Sequence, residues 1–260
     1  MSENQEVLYE VVDSHIAVVT LNRPEVRNAV NGALANGLDA AVKRAEADPA
    51  IRVVLLTSSQ DKVFCAGADL SEISKGRGAT LSTKDGGFAG FCEAPKVKPW
   101  IAVVEGVAFA GGCEIVLACD MVVTSTNGKF GLPEVKRGLF AGAAGVYRLP
   151  RRLPRNIGLE LVATGEGLDA ERAYAMGFAN RLTQPGGCMA AALELAKTIS
   201  ANAPMSVRES LAIARQCQDL TEEELRPIAR AASGRVFSSD DAKEGPVAFL
   251  QKRAPVWKNS

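Results

Sequence analysis

Residues 101–134 read IAVVEGVAFAGGCEIVLACDMVVTSTNGKFGLPE. Ile101 to Val104 is an apolar run of the kind that forms a strand buried on both faces, and Gly106 ends it. Gly111 and Gly112 open a short segment, Cys113 to Ala118, that is apolar on every side except at Glu114. Asp120 closes it, Met121 to Thr124 predicts another buried strand, and Phe130 to Glu134 predicts a turn. A helix that is hydrophobic all round is buried. A carboxylate carried into such a place shifts its pKa or finds a partner, because an unpaired buried charge is costly. Glu114 also falls in the first helical turn, where backbone N–H groups lack helical partners. Two readings follow from the residues alone: a carboxylate held beside a free N–H donor for chemistry, or a glutamate that caps its own helix.

Working outward, Val7 to Val12 and Ile16 to Leu21 predict two strands joined at Asp13-Ser14-His15. A turn-rich loop, Asn22 to Val30, precedes a helix over about 33–47 that Asn31 caps and Asp48-Pro49 stops. Val53 to Thr57 predicts a third buried strand. The small residues Cys65 to Ala68 permit an unusual backbone path, and Asp69 is placed to start a helix. Ser71 to Gly90, rich in Gly, Ser and Thr, predicts a mobile surface segment that serves as a lid or binding loop. Arg148, Arg151, Arg152 and Arg155 read as a solvated turn or subunit interface in preference to an anion site. Helices are expected at 157–163 and from Asp169 to Gly177, with a short strand at 179–182. From Gly187 onward the pattern is helical, in segments of about 188–202, 204–217, 221–236 and 240–252. No internal repeat stands out. The whole predicts an α/β core followed by helices, with a boundary near residue 203.

Composition narrows the function. Lys+Arg and Asp+Glu are both 30 in 260 residues, so the formal net charge is zero, unlike the basic footprint of a nucleic-acid binder. The start MSENQEV has no charged and apolar leader pattern, and no run of about twenty uncharged apolar residues predicts a membrane span. The expected location is cytoplasmic. The six cysteines include no C-x-x-C pair and are expected to be reduced, small, buried residues. The single histidine, His15, argues against a zinc site and against a Ser-His-Asp or Cys-His hydrolase. No G-x-S-x-G, Walker A or G-x-G-x-x-G motif occurs.

Three separated motifs then point one way. They are Asn22-Arg23-Pro24 with Asn28-Ala29; Phe64-Cys65-Ala66-Gly67-Ala68-Asp69-Leu70; and Gly111-Gly112-Cys113-Glu114 with Phe130-Gly131-Leu132-Pro133-Glu134. In this order and spacing they resemble the crotonase superfamily, and most closely its enoyl-CoA hydratases. The tail Ala248-Phe249-Leu250-Gln251-Lys252-Arg253 is similar to that family's as well. The resemblance covers essentially the whole chain. It implies a spiral of ββα turns in residues 1–203 and a helical region, 204–260, that covers the active site and forms a homotrimer or a hexamer of stacked trimers. It implies an acyl-coenzyme A thioester as ligand, with no cofactor beyond the coenzyme A of the substrate and no metal. By motif position Glu114 and Glu134 match the two catalytic carboxylates of the hydratases. The N–H groups of Ala68 and Gly111 match the oxyanion hole. Val26, Arg27, Ala29, Ala66, Ala68, Asp69, Leu70, Gly112 and Pro133 match the path of coenzyme A and substrate. Phe249 and Lys252 match residues that reach coenzyme A from their own or a neighbouring subunit.

The implied activity is reversible addition of water to a trans-2-enoyl-CoA. The alternatives are another reaction on an acyl-CoA, such as double-bond isomerisation or a specialised dehydration, and non-catalytic binding of a CoA ester or RNA. One departure bears on the acyl group. Where many hydratases carry Gly-Gly-Thr-Gln-Arg-Leu, this chain has Val146 and Tyr147 in place of threonine and glutamine. A polycyclic or branched acyl group is therefore as compatible as a simple fatty acyl chain.

Overall fold

The computed structural model describes residues 5–259. The chain opens with β1 (Val7–Val12) and β2 (Ile16–Leu21), an antiparallel hairpin turned at Asp13 and Ser14, both at positive φ. His15 at that corner pairs its Nδ1 with the Ala50 carbonyl at 2.8 Å, a structural role. Helix α1 (Gly32–Ala47) follows, with the Asn31 side chain accepting from the Leu34 N–H as its cap. Its residues Leu34, Leu38, Val42 and Ala45 recur on one face and are buried.

A repeating path then sets the architecture. Strand β3 (Val53–Ser58) joins the large sheet, β4 (Val63–Cys65) joins a second sheet, and α2 (Leu70–Ser74) leads out over a small hairpin, β5 (Ser82–Thr83) with β6 (Gly87–Phe88). The same step recurs with β7 (Trp100–Val104), β8 (Val107–Phe109) and α3 (Gly111–Leu117). It recurs again with β9 (Met121–Ser125) and β10 (Lys129–Gly131), followed by the one-turn 3-10 helix Pro133–Arg137, α4 (Gly145–Arg152) and α5 (Arg155–Thr164). Next come β11 (Gly167–Asp169), α6 (Ala170–Ala175) and β12 (Arg181–Thr183). Four helices close the chain: α7 (Cys188–Ser200), α8 (Pro204–Ala214), α9 (Glu222–Phe237) and α10 (Asp240–Leu250).

The large sheet has the order β1-β2-β3-β7-β9-β12, parallel from β2 onward. The small sheet has the order β11-β10-β8-β4. Each parallel turn therefore contributes one strand to each sheet, which is a spiral of ββα units. Helix α7 covers one face of the large sheet, against Ile16, Val18, Leu55, Ile101 and Val103. The opposite face, with Ala17, Val19, Leu56, Ala102 and Val104, packs on α1, α3 and the small sheet. Burial on both faces is why β3 and β7 are nearly continuous apolar runs.

Several expectations are corrected. Phe130 to Glu134 is no simple turn: Lys129–Gly131 is a strand and Pro133 starts a 3-10 helix. Most of residues 71–80 lie at the surface as expected, but residues 81–90 pack into the fold. Leu81 and Ala89 are buried, Thr83 Oγ1 donates to Asp39 at 3.0 Å, and Gly90 lies against the α1 backbone at Ala35. Arg148 to Arg152 form helix rather than turn, and Arg148 and Arg152 are half-buried. Five cysteines are buried and free as expected, but Cys217 is exposed.

Asn28 ties the loops before the site together. It sits at φ +53 and is fully buried. Its Oδ1 accepts from the Arg23 N–H at 2.7 Å, and its Nδ2 donates to Ser58 Oγ and the Phe64 carbonyl at 2.8 Å. The Cys65 thiol donates to the Asn28 carbonyl at 3.1 Å. Replacing Asn28 with Ala removes its three side-chain bonds, to the Arg23 N–H, Ser58 Oγ and the Phe64 carbonyl, and keeps a backbone angle that alanine disfavours. The variant is expected to lose about 2–4 kcal/mol of stability, read from the urea unfolding midpoint. An unchanged midpoint would show that the clamp is dispensable.

Candidate active site

The two loops at the ends of β4 and β8 meet backbone to backbone. Gly67 has φ +98, and a Cβ built on it would lie 2.8 Å from the Ala110 Cβ and 3.0 Å from the Gly111 nitrogen. A side chain at Gly112 would run into the Cys65 carbonyl, and one at Gly111 into the Phe88 ring. Glycine is needed here for the close approach as well as for the angle. Ala110, at φ +53 and ψ −129, turns the chain into α3. A non-glycine residue in such a region costs of order 1–3 kcal/mol, which the surrounding packing sustains. Ala68 is joined to Val30 by a parallel bridge in which Val30 donates to Gly67 and Asp69 donates to Val30. That pattern leaves the Ala68 N–H without an acceptor among the described residues, and the Gly111 N–H is likewise without one. Two unspent N–H donors thus sit on adjoining loops.

Glu114 lies in the first turn of α3, a helix buried over its whole length, and its own exposure is 4%. Its carboxylate does not cap its own helix. Oε1 accepts from the Gly145 N–H at the start of α4, at 2.9 Å. Burial pushes its pKa up to about 7, with the neighbouring Glu134 charge adding to the rise; the N–H groups of Gly145 and Ala143 and the Arg148 charge oppose it. Gly145 is required there, since a Cβ would lie 2.9 Å from both Glu114 Cγ and Oε1.

Glu134 follows Pro133 on the 3-10 helix and is half-buried. Its Oε2 is enclosed without a hydrogen-bond partner. Burial raises its pKa, countered by its own N–H and by the Arg137 charge. Proline fixes the start of that turn, and β10, paired in parallel with β8, carries the turn to the side of α3. An oxygen shut away from solvent and unpaired is uncommon in folded proteins.

Of the residues matched to the coenzyme A path, those in 26–29 and 66–70 are brought together. Ala66 donates its N–H to Arg27, and residues 26–30 run alongside 66–70. Val26, Arg27, Ala66 and Leu70 are exposed along that edge. Asp69 is committed to structure, pairing with Arg23 at 2.8 Å and capping α2 through the Ser71 N–H. Phe249 is 82% exposed at the end of α10, and Lys252 lies just beyond at positive φ. Two site residues escaped the sequence reading. Gly145 was concealed in a run of small residues, where nothing marks which N–H is aimed. Phe88, whose ring lies against Gly111, belongs to a two-residue strand too short to show a period. Among the described residues, no three His, Cys, Asp or Glu side chains converge as a metal site would need.

The chain belongs to the enoyl-CoA hydratase/isomerase family, whose profile matches residues 12–260, and it has the crotonase fold. It is similar to an enoyl-CoA hydratase of known structure from Mycobacterium tuberculosis H37Rv, with TM-score 0.94 and 41% identity over 98% of this chain and 100% of that one. A carnitinyl-CoA hydratase from Mycobacterium avium is also 41% identical, with TM-score 0.77, covering 99% of this chain and 100% of that one. The carnitinyl-CoA dehydratase of Proteus mirabilis is 38% identical over 245 residues, 92% of this chain and 94% of that protein.

The Glu114 shift has a thermodynamic sign. A carboxyl whose pKa is higher in the folded chain favours folding below its unfolded pKa, and that contribution is lost as pH rises through about 7. Glu114→Gln keeps an acceptor for Gly145 and cannot ionise. Its stability relative to the parent protein is expected to climb by roughly 3 kcal/mol between about pH 4.5 and pH 8, measured by urea unfolding across that range. A difference that stays flat with pH would show that Glu114 ionises as an ordinary carboxylate.

Proposed function

We propose that this protein is an acyl-CoA hydratase, adding water reversibly to a trans-2-enoyl-CoA to give a 3-hydroxyacyl-CoA. The observation that carries the reading is the placement of one buried carboxylate, Glu114, and one half-buried carboxylate, Glu134, both with raised pKa, on the elements that follow β8 and β10, with the unspent Gly111 N–H in the same helical turn as Glu114. The thioester oxygen would lie between the N–H groups of Ala68 and Gly111. As water adds to C3, electron density moves through C2 onto that oxygen, and the two donors stabilise the enolate. Losing one such donor costs about 3–4 kcal/mol in other enzymes.

Glu114 and Glu134 would hold one water between them. Glu114, with a pKa near 7, is balanced between its two protonation states at neutral pH, which suits a group that trades protons with water. Glu134, with one oxygen unpaired, has an acceptor position free for the water. Glu114, ionised, takes the proton that the water loses as its oxygen bonds to C3, and Glu134, protonated, gives its proton to C2, so both new bonds form on one face; a proton then passes from Glu114 back to Glu134 through the next water. The reaction so written asks for nothing beyond the coenzyme A carried by the substrate.

Run backwards, the same steps are a dehydration. The relatives named carnitinyl-CoA dehydratase and hydratase make a specialised dehydratase the second reading, on the same residues. Residues 204–260 are proposed to form subunit contacts. The exposures of Phe237 (78%), Phe249 (82%) and Leu250 (80%) are large for apolar side chains facing water, and a second copy of the chain would cover them.

Glu134→Gln and Glu114→Gln are each expected to lower kcat on a short trans-2-enoyl-CoA by about 10²–10⁴-fold with KM changed little, followed as loss of the conjugated absorbance. Carnitinyl-CoA run alongside as substrate separates the two readings: faster dehydration of that ester assigns the specialised reaction. Undiminished turnover in both variants would refute the assignment.

A further inference from the structure

The arginines of α4 do something the proposed reaction does not use. Between the C-terminal end of α3, helix α4 and helix α8 lies a cavity of about 560 Å³. Two of its cations are matched: Arg215 with Asp120 at 2.7 Å, and Arg151 with Asp219. Three others, Lys96, Arg148 and Arg152, have no carboxylate at ion-pair distance among the described residues.

These three are held in place by main-chain carbonyls. Lys96 donates to Phe91 at 2.7 Å and to Ala94 at 3.1 Å, with its ammonium 4.2 Å from the centre of the Phe91 ring. Arg152 donates to the Asp120 carbonyl at 3.2 Å and to that of Cys119. Arg148 uses one nitrogen, donating to Cys92 at 2.8 Å, and its Nε and Nη2 have no acceptor among the described residues. A guanidinium carries five donors in a fixed planar fork suited to an oxyanion. Burial lowers the pKa of Lys96 and of Arg152, so the enclosed charges are incompletely compensated. A bound anion would supply that compensation.

We propose that this cavity is a binding site for a small oxyanion, a phosphate or a carboxylate, held by Lys96, Arg148 and Arg152. The aliphatic side chains of Leu117 and Leu211 also line it. The site lies beyond the end of α3 opposite to Gly111, and Arg148 is one helical turn from Gly145. None of its three cations is assigned to the acyl-CoA, although the Arg148 charge also acts on Glu114, so the phosphate-binding readout and not turnover decides the proposal.

The test is calorimetric titration of inorganic phosphate into the full chain at low chloride, with excess coenzyme A present to occupy the proposed ester site. Saturable binding of one phosphate per chain is expected, weakening as salt rises. Its affinity should fall at least tenfold in Arg148→Gln and in Lys96→Met, and less in Arg148→Lys. Tighter binding of malonate than of phosphate would assign a carboxylate as the ligand; the reverse order would assign a phosphate. Thermal melting checks that each variant folds, and if Arg148→Gln does not, Lys96→Met decides. The proposal is overturned by absence of saturable binding, by loss of binding when coenzyme A is added, or by unchanged affinity in the folded variants. Failure in any of these ways leaves the effect of Glu134→Gln on turnover untouched.

Discussion

The contact on which the site depends is between two stretches of bare backbone. Gly67 and Gly111 pass close enough that a methyl group on Gly67 would collide with Ala110. The two sheets make this approach unavoidable. β4 and β8 are parallel neighbours in the small sheet, so the loops at their ends emerge side by side. The Ala68 N–H on one side and the Gly111 N–H on the other are left unspent where the two stretches cross. Widening that gap by a single carbon would part the two donors and push α3 away from the Cys65 carbonyl.

The second constraint is electrostatic. Glu114 is enclosed by packing that serves the core as much as the site, since Cys113, Ile115 and Val116 around it are all buried. Its one strong partner is an amide on a different helix. A neutral donor lowers the cost of charge without abolishing it, whereas an arginine in that place would hold the group ionised throughout. The neighbouring Glu134 charge pushes the same way as burial. Compact folding and a responsive acid therefore have one cause, the exclusion of water from α3.

How much of this is written in the chain depends on element length. The long buried strands β2, β3, β7 and β9 declare themselves as apolar runs, and α1 by its period and its Asn31 cap. Thr221 likewise marks α9, where it forms a capping box, and Asp240 marks the start of α10, whose cap is Ser239. Strands β4, β8, β10 and β11 have three residues each, too few to establish an alternation, so the small sheet is invisible without coordinates. The repeat is also invisible, because it lies in the path of the chain and not in its side chains. Glu114 stands out as a charge in an apolar segment. Glu134 does not, since a glutamate after proline looks like surface, and only the resemblance of the neighbouring motif singles it out. The second half of the segment 71–90, residues 81–90, misleads because small polar residues that suggest a surface loop also permit tight packing, as Gly90 does against Ala35.

The enclosure of Glu114 has a consequence for how such a protein varies over time. Its proton affinity belongs to the whole wall around it, which includes Leu132 and Gly145, the latter without a side chain. Exchanges among aliphatic residues in that wall alter how much solvent dipole reaches the carboxyl, and so reset its acid strength while every reacting group stays in place. Natural variants with identical glutamates can in this way acquire different working pH ranges through changes that look, residue by residue, like neutral drift in a hydrophobic interior.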